Sequence, residues 1–304
     1  MLRRLMLRLS ENKQIDHFVR ARGMSRGFAR RFVAGESLAE AVDAVRKLNG
    51  EGILASLDFL GERVTQASVA GQVERDYLRM LETIQASGLQ CDVSLKLTQL
   101  GLDIAPSVAH DNMRQILACA QRLANFVRID MESSGYVDRT LALFRSLHDE
   151  FSDTVGAVIQ AYLRRSASDV AQLMELRPNV RICKGAYREP AEVALPRKPD
   201  VDRNFVELMG TLLRQGGYTA IATHDEQMIR EAKELIRANG IARDRFEFEM
   251  LYGIRRDLQL SLVREGYRVR VYVPYGICWY PYFMRRLGER PANVWFVVKN
   301  LLRE

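Results

Sequence analysis

Short β-rich runs recur along this 304-residue chain, and a helix-length segment follows each of them. The runs are LASLDF (54–59), CDVSLKL (91–97), FVRIDM (126–131), VGAVIQAYL (155–163), VRICKGAY (180–187), TAIATHD (219–225), FEFEMLY (246–252) and RVRVYVP (268–274). Eight strands alternating with helices predict a (β/α)8 barrel, a fold of about 250 residues, which residues 54–304 can supply. A doubly wound sheet is disfavoured, because no G-x-G-x-x-G turn opens a helix.

The chain is predicted to divide into two regions, a basic helical arm in residues 1–50 and the barrel in residues 51–304. Between the predicted strands lie amphipathic helices such as SVAHDNMRQILACAQRLA (107–124) and DEQMIREAKELIRANG (225–240). Hydrophobic residues make up 47% of the sequence, enough to bury a full core. No apolar run approaches the roughly 18 uncharged residues that span a bilayer, so an integral membrane protein is not expected.

Several of the predicted strands end in residues with reactive or charged side chains. In (β/α)8 barrels the chemistry lies at the carboxyl ends of the strands and in the loops that follow them. The polar residues at these ends are Lys96, Asp130, Glu132, Gln160, Tyr162, Lys184, His224, Asp225 and Tyr272. A barrel end with a purely structural role would carry fewer such groups, so the sequence predicts a binding or catalytic site there.

The segment YPYFMRRLGE (280–289) is predicted to form a helix with two different faces. One face, at i, i+3, i+4 and i+7, carries Tyr282, Arg285, Arg286 and Glu289. A separate apolar line, at i, i+4 and i+8, carries Trp279, Phe283 and Leu287. Two adjacent guanidinium groups can grip a carboxylate, a nearby acid can orient them, and a tyrosine ring offers a flat wall. The implied ligand is a small organic anion with an apolar body; a solvated charged face is the alternative.

The cysteines and histidines give no sign of disulfides or of a metal site. The cysteines, far apart and without a C-x-x-C pair, are Cys91, Cys119, Cys183 and Cys278. No secretory signal is recognised either, so reduced thiols and a cytoplasmic location are expected. The histidines lack the spacing of a zinc or iron site, and no metal is predicted. His17, His110 and His148 are interpreted as surface residues, whereas His224 follows a strand.

The positive charge of the chain is concentrated at its beginning. Residues 1–35 contain eight Arg and one Lys against Glu11 and Asp16, which accounts for the whole net charge of +7. Leu, Met and Phe among these cations predict an arm that rests on anionic lipid, at the inner face of the cytoplasmic membrane. Helices packed on the barrel with their Arg side chains reaching outward are an equal alternative. A mitochondrial-type presequence and nucleic-acid binding are both disfavoured by the pattern.

Seven segments together resemble the proline dehydrogenases, and the match is to the monofunctional bacterial type. They are SLKLTQLG (94–101), VRIDMESS (127–134), VIQAYLRRS (158–166), RICKGAYREP (181–190), ATHD (222–225), FEFEMLYGIR (246–255) and the final Y-x-x-R-R-x-x-E helix. The resemblance runs from residue 54 to the end of the chain. It implies a distorted (β/α)8 barrel with its last helix over the barrel mouth. It also implies non-covalent FAD and the oxidation of L-proline to Δ1-pyrroline-5-carboxylate by hydride transfer.

The resemblance implies a substrate site built around the proline carboxylate. Arg285 and Arg286 match the carboxylate clamp of the family, and Glu289 matches the acid that orients the clamp. Tyr282 matches the aromatic wall over the proline ring. This assignment agrees with the small anion with an apolar body that the last helix predicts from its residues.

Three further residues are implied beside the substrate. Lys96 adds a positive charge, and Tyr272 lies next to the ring. Asp130 matches a catalytic residue of the active-site polar network and is expected to hold Lys96 or Arg285 in place. Without the resemblance, a lone strand-end Asp would equally be interpreted as an ion-pair partner.

The flavin site is implied by the same comparison. Arg181 matches the catalytic Arg beside the reacting edge of the flavin, where a fixed positive charge favours the anionic reduced ring. Lys184, Gly185 and Ala186 match the segment along the phosphates and ribityl chain. The other implied contacts are Gln160 and the main chain of Ile129 at the ring, and Thr223 with His224 near the pyrophosphate.

The implied partners are a membrane quinone that accepts the electrons and a separate pyrroline-5-carboxylate dehydrogenase that receives the product, on the route from proline to glutamate. No domain for aldehyde oxidation and no DNA-binding segment is recognised, so no nucleic-acid partner is expected. Arg188 stands where longer bifunctional relatives carry Trp, which leaves the adenine contact open.

Two other classes of protein account for parts of the sequence. A Schiff-base barrel aldolase would account for Lys184, because such enzymes use a strand-end Lys as nucleophile. A membrane-adhering structural protein would account for residues 1–35 alone. Only the flavoenzyme accounts for the barrel, the double-Arg helix and the strand-end residues together.

Overall fold

A computed structural model describes residues 30–61 and 63–289, with the side chains of residues 285–289 left out of the description. The eight predicted strands form one closed, all-parallel barrel in sequence order, in which the last strand is hydrogen-bonded to the first. The strands are β1 Leu54–Phe59, β2 Cys91–Leu95, β3 Val127–Ile129, β4 Val155–Gln160, β5 Asn179–Cys183, β6 Tyr218–Ala222, β7 Phe246–Leu251 and β8 Val269–Tyr275. The predicted (β/α)8 fold is confirmed.

The α-helices of the described residues surround this barrel. They are α1 Leu38–Asn49, α2 Ala67–Ala86, α3 Pro106–Arg122, α4 Val137–Phe151, α5 Ser166–Met174, α6 Lys198–Gln215, α7 Glu226–Ala238, α8 Arg256–Arg264 and α9 Trp279–Glu289. The two amphipathic helices singled out in the sequence correspond to α3 and α7. Within the described ranges, no helix is both long enough and apolar enough to cross a bilayer. Residues 1–29 of the predicted arm lie outside the described residues.

The strands bury two different kinds of side chain on their two faces. Outward-facing residues such as Val93, Ile182 and Phe248 are completely buried between strands and helices. The inward face is polar, whereas such barrels are commonly filled by branched aliphatic side chains. The polar and charged residues that meet inside the barrel include Ser56, Asp58, Asp92, Ser94, Arg128, Arg181, Glu247, Glu249, Arg270 and Tyr272.

A glycine makes room for one of these large inward side chains. A Cβ at Gly156 on β4 would lie 2.6 Å from Nη1 of Arg128 and 2.7 Å from the Asn179 carbonyl oxygen. The same nitrogen of Arg128 donates to that carbonyl oxygen at 3.0 Å. The guanidinium therefore occupies the volume that a side chain on β4 would take.

Several β-rich runs extend beyond the strands that they predict. β2, β4 and β5 end at Leu95, Gln160 and Cys183, whereas their runs continue to residues 97, 163 and 187. The continuation after β5 leaves the extended conformation at Gly185, where φ is +108°. The polar residues at the ends of these runs therefore lie on loops at the barrel mouth.

The last described helix, α9, covers the barrel mouth. Two residues of its predicted apolar line, Trp279 and Phe283, are almost fully buried with their ring centroids 5.9 Å apart, and the side chain of the third, Leu287, lies outside the described residues. Phe283 also contacts Phe32, at 6.2 Å between centroids. Tyr282, on the other predicted face, is buried as well and lines the cavity at the mouth.

The interpretation of His148 as a surface residue is wrong. It lies on the inner side of α4, 8% exposed, with its ring centroid 5.4 Å from that of Phe144, one turn earlier. Burial lowers the pKa of His148, so the neutral ring packs as a largely apolar group. His110 is partly exposed next to Asp111, and His17 lies outside the described residues.

Candidate active site

A cavity of about 320 Å³ lies at the carboxyl ends of the barrel strands, beneath α9. Its lining includes the predicted site residues Lys96, Asp130, Gln160, Arg181, Lys184, Gly185, Ala186, His224, Tyr272 and Tyr282. These residues are far apart in sequence, but closure of a parallel barrel brings all the strand ends to one rim. The structure therefore gathers most of the predicted site in one place.

Asp130, the residue after β3, is the centre of a hydrogen-bonded network in this cavity. Its Oδ1 accepts from Nη1 of Arg181 at 2.8 Å, and its Oδ2 accepts from the Tyr272 hydroxyl at 2.7 Å. The sequence predicts Lys96 or Arg285 as the partner of Asp130; in the structure Lys96 Nζ lies farther away, at 3.7 Å. Burial and the neighbouring Asp130 carboxylate raise the pKa of Tyr272 well above its ordinary value, so its hydroxyl stays protonated and donates.

Lys96 is paired mainly with Asp58, which is not among the predicted site residues. Its Nζ donates to Oδ1 of Asp58, at the end of β1, at 2.9 Å. The Asp58 side chain is only 1% exposed. Burial alone would lower the pKa of Lys96, but the carboxylates of Asp58 and Asp130 outweigh it and raise that pKa. The ammonium group at the cavity wall is therefore charged and largely neutralised by its neighbours.

Arg181 extends from β5 across the interior of the barrel. Besides Asp130, its Nη2 donates to Oγ of Ser94 at 3.1 Å, and its Nε forms an ion pair with Glu249 on β7. The guanidinium carbon lies 5.4 Å from the ring centroid of Tyr272. Burial alone would lower the pKa of Arg181, but the two carboxylates raise it, so the cavity keeps a permanent cation.

A period-2 pattern could have revealed the two missed residues, Asp58 and Glu249. In FEFEML (246–251), Glu alternates with large apolar residues, and in LASLDF (54–59) Ser56 and Asp58 share one phase. Alternate residues of a strand face the same side, so a charged phase inside an apolar run marks a polar barrel interior. Neither residue is the last of its β-rich run, so the strand ends alone do not reveal it.

Gln160, the last residue of β4, presents a buried acceptor to the cavity. Its Nε2 donates to the Met131 carbonyl oxygen at 3.4 Å. Its Oε1 is buried and has no hydrogen-bond partner within the described part of the chain. Leaving a buried acceptor unpaired costs about 1–3 kcal/mol, a cost that a ligand N–H group would remove.

A second cavity, of about 470 Å³, adjoins the first, and Lys184, Ala222 and His224 line both. Thr223, Asp225, Glu226 and Arg255 complete its lining. Because the two cavities share residues, an extended molecule could occupy both, with one end under α9 and the other at the start of α7.

Lys184 is surrounded by carboxylates in a way that argues against the aldolase alternative. Its Nζ donates to Asp202 at 2.5 Å and to Asp225 at 2.8 Å. A Schiff-base lysine must be neutral to attack, whereas two carboxylates stabilise the charged ammonium. Burial raises the pKa of Asp225, but the hydrogen bond and charge of Lys184, together with the Gln227 N–H and the charge of Lys198, outweigh it and lower that pKa to about 2. Across the described residues, no group of three or more His, Cys, Asp and Glu side chains could hold a metal ion.

Thr223 and His224 fix the turn between β6 and α7. Oγ1 of Thr223 accepts from the Asp225 N–H at 3.1 Å, and Nε2 of His224 accepts from the Leu251 N–H at 2.8 Å. A neutral His224 therefore carries its proton on Nδ1. His224 lines both cavities, and the bond to Leu251 ties it to the end of β7.

A glycine is required at position 185 because the ring of Tyr162, in the loop after β4, lies against it. A Cβ at this position would lie 2.1 Å from the Tyr162 ring, and the φ of +108° is one that other residues rarely adopt. The glycine therefore lets residues 184–187 pass over Tyr162 and form one wall of the cavity.

The remaining predicted residues are placed only in part. Arg285, Arg286 and Glu289 lie within the helical bounds of α9, but their side chains lie outside the described residues. Helical geometry puts the two Arg residues about one turn after Tyr282. Ile129 is fully buried at the end of β3, and its side chain does not line the cavity.

The fold and this cavity define a (β/α)8-barrel enzyme whose site lies at the carboxyl ends of the strands. The family model described as proline dehydrogenase matches residues 41–299. The chain belongs to the proline dehydrogenase family. It is 44% identical over 304 residues to proline dehydrogenase 1 of Bacillus subtilis (strain 168), with 100% of both chains covered. It is 45% identical to proline dehydrogenase of Deinococcus radiodurans, over 99% of this chain and 98% of that one.

A solved structure shares the fold. Proline utilization A (PutA) from Bdellovibrio bacteriovorus superposes with a TM-score of 0.80 at 26% sequence identity. The match covers 86% of this chain and 32% of that longer chain. The resemblance noted in the sequence, to the monofunctional bacterial type, is confirmed.

Proposed function

We propose that this chain oxidises L-proline to Δ1-pyrroline-5-carboxylate with non-covalent FAD as the electron acceptor. The observation that carries the proposal is the cavity under α9, where the Asp130–Arg181–Tyr272 network faces the aromatic wall of Tyr282. Family membership supports the reaction. Proline, a five-membered ring with a carboxylate, is the small anion with an apolar body that the α9 segment predicts.

The product defines what the site must do. Its C=N bond joins the ring nitrogen to Cδ, so a hydride must leave Cδ and a proton must leave the nitrogen. Bound FAD supplies the two-electron acceptor for the hydride. The chain's own residues must therefore hold the substrate ring flat against that acceptor and exclude water. The buried side chain of Tyr282, on the cavity side of α9, would do both.

Recognition of the proline carboxylate is assigned to Arg285 and Arg286, oriented by Glu289. Lys96 contributes a weaker attraction, because Asp58 at 2.9 Å and Asp130 at 3.7 Å already balance its charge. A paired guanidinium clamp offers bidentate hydrogen bonds that a neutralised ammonium cannot replace. We therefore assign the main share of substrate affinity to α9.

Asp130 acts in this proposal by positioning two other groups. Both of its oxygens accept hydrogen bonds, one from Arg181 and one from Tyr272. Arg181 and Tyr272 already occupy a lone pair on each oxygen, so we assign Asp130 a positioning role and not that of a general base. Its predicted catalytic role is thus to hold the Arg181 cation at the reacting edge of the flavin and Tyr272 beside the substrate.

The cofactor assignment is supported by the fit of the residues to FAD. The unpartnered Oε1 of Gln160 suits the ring N–H of an isoalloxazine, and Arg181 supplies the cation for its electron-rich edge. The adjoining cavity leads past Lys184, Gly185 and Ala186 to Thr223 and His224, the residues assigned to the phosphates. Asp202 and Asp225 use two donors of the Lys184 ammonium, and the third is assigned to a phosphate oxygen. Ile129 is assigned a main-chain contact.

The electrons are proposed to pass to a membrane quinone, and the product to a separate pyrroline-5-carboxylate dehydrogenase. The charge of +7 in residues 1–35 supports docking on anionic lipid, at about 1 kcal/mol for each basic residue near the surface. Co-sedimentation with anionic vesicles at low salt, compared with a variant lacking residues 1–35, measures this. Equal binding of the two proteins would assign the arm to packing on the barrel instead.

A visible spectrum tests the proposed function directly. The purified protein is expected to be yellow, to release FAD on denaturation, and to bleach when L-proline is added without oxygen. Pyrrolidine, which lacks the carboxylate, is the matched control and should bleach it far more slowly. A protein that binds no FAD, or whose bound FAD does not respond to L-proline, would contradict the proposal.

A further inference from the structure

Beneath the candidate site, β7 carries two glutamates on the inner face of the barrel. Glu247 and Glu249 are 1% and 3% exposed. Glu249 Oε2 forms an ion pair with Nε of Arg181. Nη1 of the same guanidinium donates to Asp130 at 2.8 Å. Arg181 therefore lies between two carboxyl groups, those of Asp130 and Glu249, and all three residues line the cavity.

Charged groups from several strands face Glu249. Arg181 comes from β5, Arg128 from β3, Arg270 from β8 and Glu247 from β7 itself. Arg270 is already engaged, with its Nε bonded to Glu247 at 2.8 Å and its Nη1 3.1 Å from Asp92. The charged groups of the described interior are the cations Lys96, Arg128, Arg181 and Arg270 and the acids Asp58, Asp92, Asp130, Glu247 and Glu249. Acids thus exceed cations by one, which favours one proton being retained.

The geometry indicates where that proton lies. Buried oxygens without a hydrogen-bond partner among the described residues occur on the acids Asp58, Asp92, Glu247 and Glu249. Of these acids, Glu247 and Glu249 lie two residues apart on the inner face of one strand, which allows Oε2 of Glu247 and Oε1 of Glu249 to share a proton. Two ionised carboxylates cannot bond to each other, since both are acceptors only. A proton on Glu249 lets it donate to Glu247 and removes the repulsion between two buried like charges. In agreement, burial raises the pKa of Glu249 to about 7 despite the nearby Arg181, and the bond from Glu249 helps to lower the pKa of Glu247.

We propose that Glu249 is a positioning residue for Arg181 that carries an exchangeable proton shared with Glu247. When Glu249 holds the proton, the charge of Arg181 is directed to Asp130 and the cavity. When Glu249 is ionised, its charge offsets that of Arg181, and the cavity becomes less positive. This inference rests on the proposed function in one respect, that Arg181 lies beside the reducible ring.

A consequence follows for the reaction. A more positive cavity favours the extra electrons on the cofactor, so its reduction potential should fall as pH rises through the ionisation of Glu249. The rate of proline oxidation should fall with it.

The proton itself is tested by infrared spectroscopy, a readout that does not need an active or flavin-loaded enzyme. The carbonyl band of a protonated carboxylic acid is followed from about pH 5 to about pH 9 in the purified protein and in Glu249→Gln. A band that titrates near pH 7 should be present in the parent protein and absent from the variant. Glu132→Gln is the matched control, because Glu132 is also a carboxyl group whose pKa burial raises, but it bonds to Thr98 instead. It should keep the band.

The coupling to Arg181 is tested by the pH profiles of kcat/KM for L-proline and of the cofactor's reduction potential. Both should lose their inflection near pH 7 in Glu249→Gln, while Glu249→Asp, which still ionises, should retain one. The shorter Asp side chain should displace that inflection, so if Glu249→Gln does not fold, a displaced inflection in Glu249→Asp supports the proposal, and an unchanged profile or a lost inflection contradicts it.

The two proposals fail in different ways. A band that persists unchanged in Glu249→Gln overturns the assignment of the proton, whether or not the protein binds FAD. If the band disappears in Glu249→Gln but the parent protein binds no FAD, the assignment of the proton holds and the proposed function does not. Unchanged pH profiles in a flavin-loaded Glu249→Gln would show that Glu249 does not act through Arg181.

Discussion

Side chains on the outer face of the barrel strands stabilise the fold by apolar packing, whereas those on the inner face form the charged interior next to the site. Phe248 on β7 is fully buried against the helical layer, where it packs with Phe246 and Tyr267 at ring-centroid distances of 6.0 and 5.3 Å. Its neighbours in sequence, Glu247 and Glu249, are equally buried but point to the charged interior. The same strand therefore stabilises the fold with one phase of residues and builds the site with the other.

This difference shows that burial alone does not identify core residues. Burying apolar surface stabilises a fold by roughly 25 cal/mol per Å², whereas burying a charge is unfavourable unless partners compensate it. In the interior, charged groups have such partners on other strands, as in the contacts of Arg181 on β5 with Asp130 after β3 and with Glu249 on β7. An interior of this kind fixes the orientation of groups at the cavity at some expense of stability.

Arg181→Met should have the largest effect, because it removes a cation on which both the interior and the proposed chemistry depend. Removing one partner of a buried ion pair costs about 3–5 kcal/mol, and losing a charge at the reacting edge costs about 10²- to 10³-fold in kcat. Denaturant unfolding and steady-state kinetics measure the two losses. Arg181→Lys, which keeps a charge but loses the fork, should lie between the parent and Arg181→Met. Full activity in Arg181→Met would contradict the assignment.

Phe248→Ala should separate the two faces. Truncating a fully buried Phe costs about 3–5 kcal/mol, here without touching the cavity. Denaturant unfolding should show that loss, while kcat and KM for L-proline stay close to the parent values at temperatures where the variant is folded. A large change in kcat with intact folding would mean that the outer and inner faces are coupled more tightly than proposed.

Arg285→Met tests α9 against the barrel interior. Hydrogen bonds to a charged group are worth about 1.5–3 kcal/mol each, so KM for L-proline should rise roughly ten- to a hundred-fold or more. FAD content should barely change, since the flavin is assigned to the strands. Pyrrolidine, without a carboxylate, should be affected much less than proline. Loss of FAD with normal proline binding, or equal effects on both substrates, would show that α9 does not bind the substrate carboxylate.

The pH dependence of stability tests the charged interior through Glu249. A glutamate in the unfolded chain ionises near its ordinary pKa of 4.5, whereas folded Glu249 keeps its proton up to about pH 7. Between these values the folded state binds more protons, so its free energy of unfolding falls as pH rises, by an amount on the order of 3 kcal/mol. Denaturant unfolding at a series of pH values should show this fall, and Glu249→Gln should reduce it. A parent and a variant with the same pH dependence would contradict the assignment.

Much of the architecture could be predicted because local sequence patterns determine it. Eight β-rich runs and the helices between them gave the barrel, and strand-end residues such as Lys96, Asp130 and Tyr272 were correctly expected at one rim. Seven motifs gave the family, which the comparisons confirm. The roles assigned to individual residues, FAD and the lipid-binding arm stay predictions.

The sequence by itself determined the fold class and the family, since strand and helix periodicity and ordered motifs are properties of the chain alone. Only the tertiary structure decided the partners of the charged groups: Asp58 with Lys96, and Asp130 and Glu249 with Arg181. The members of these pairs lie 38, 51 and 68 residues apart in sequence, and no local pattern encodes which charge meets which. The physical reason is that barrel closure creates a shared, water-poor interior, and burial there makes each charge dependent on its neighbours across the barrel.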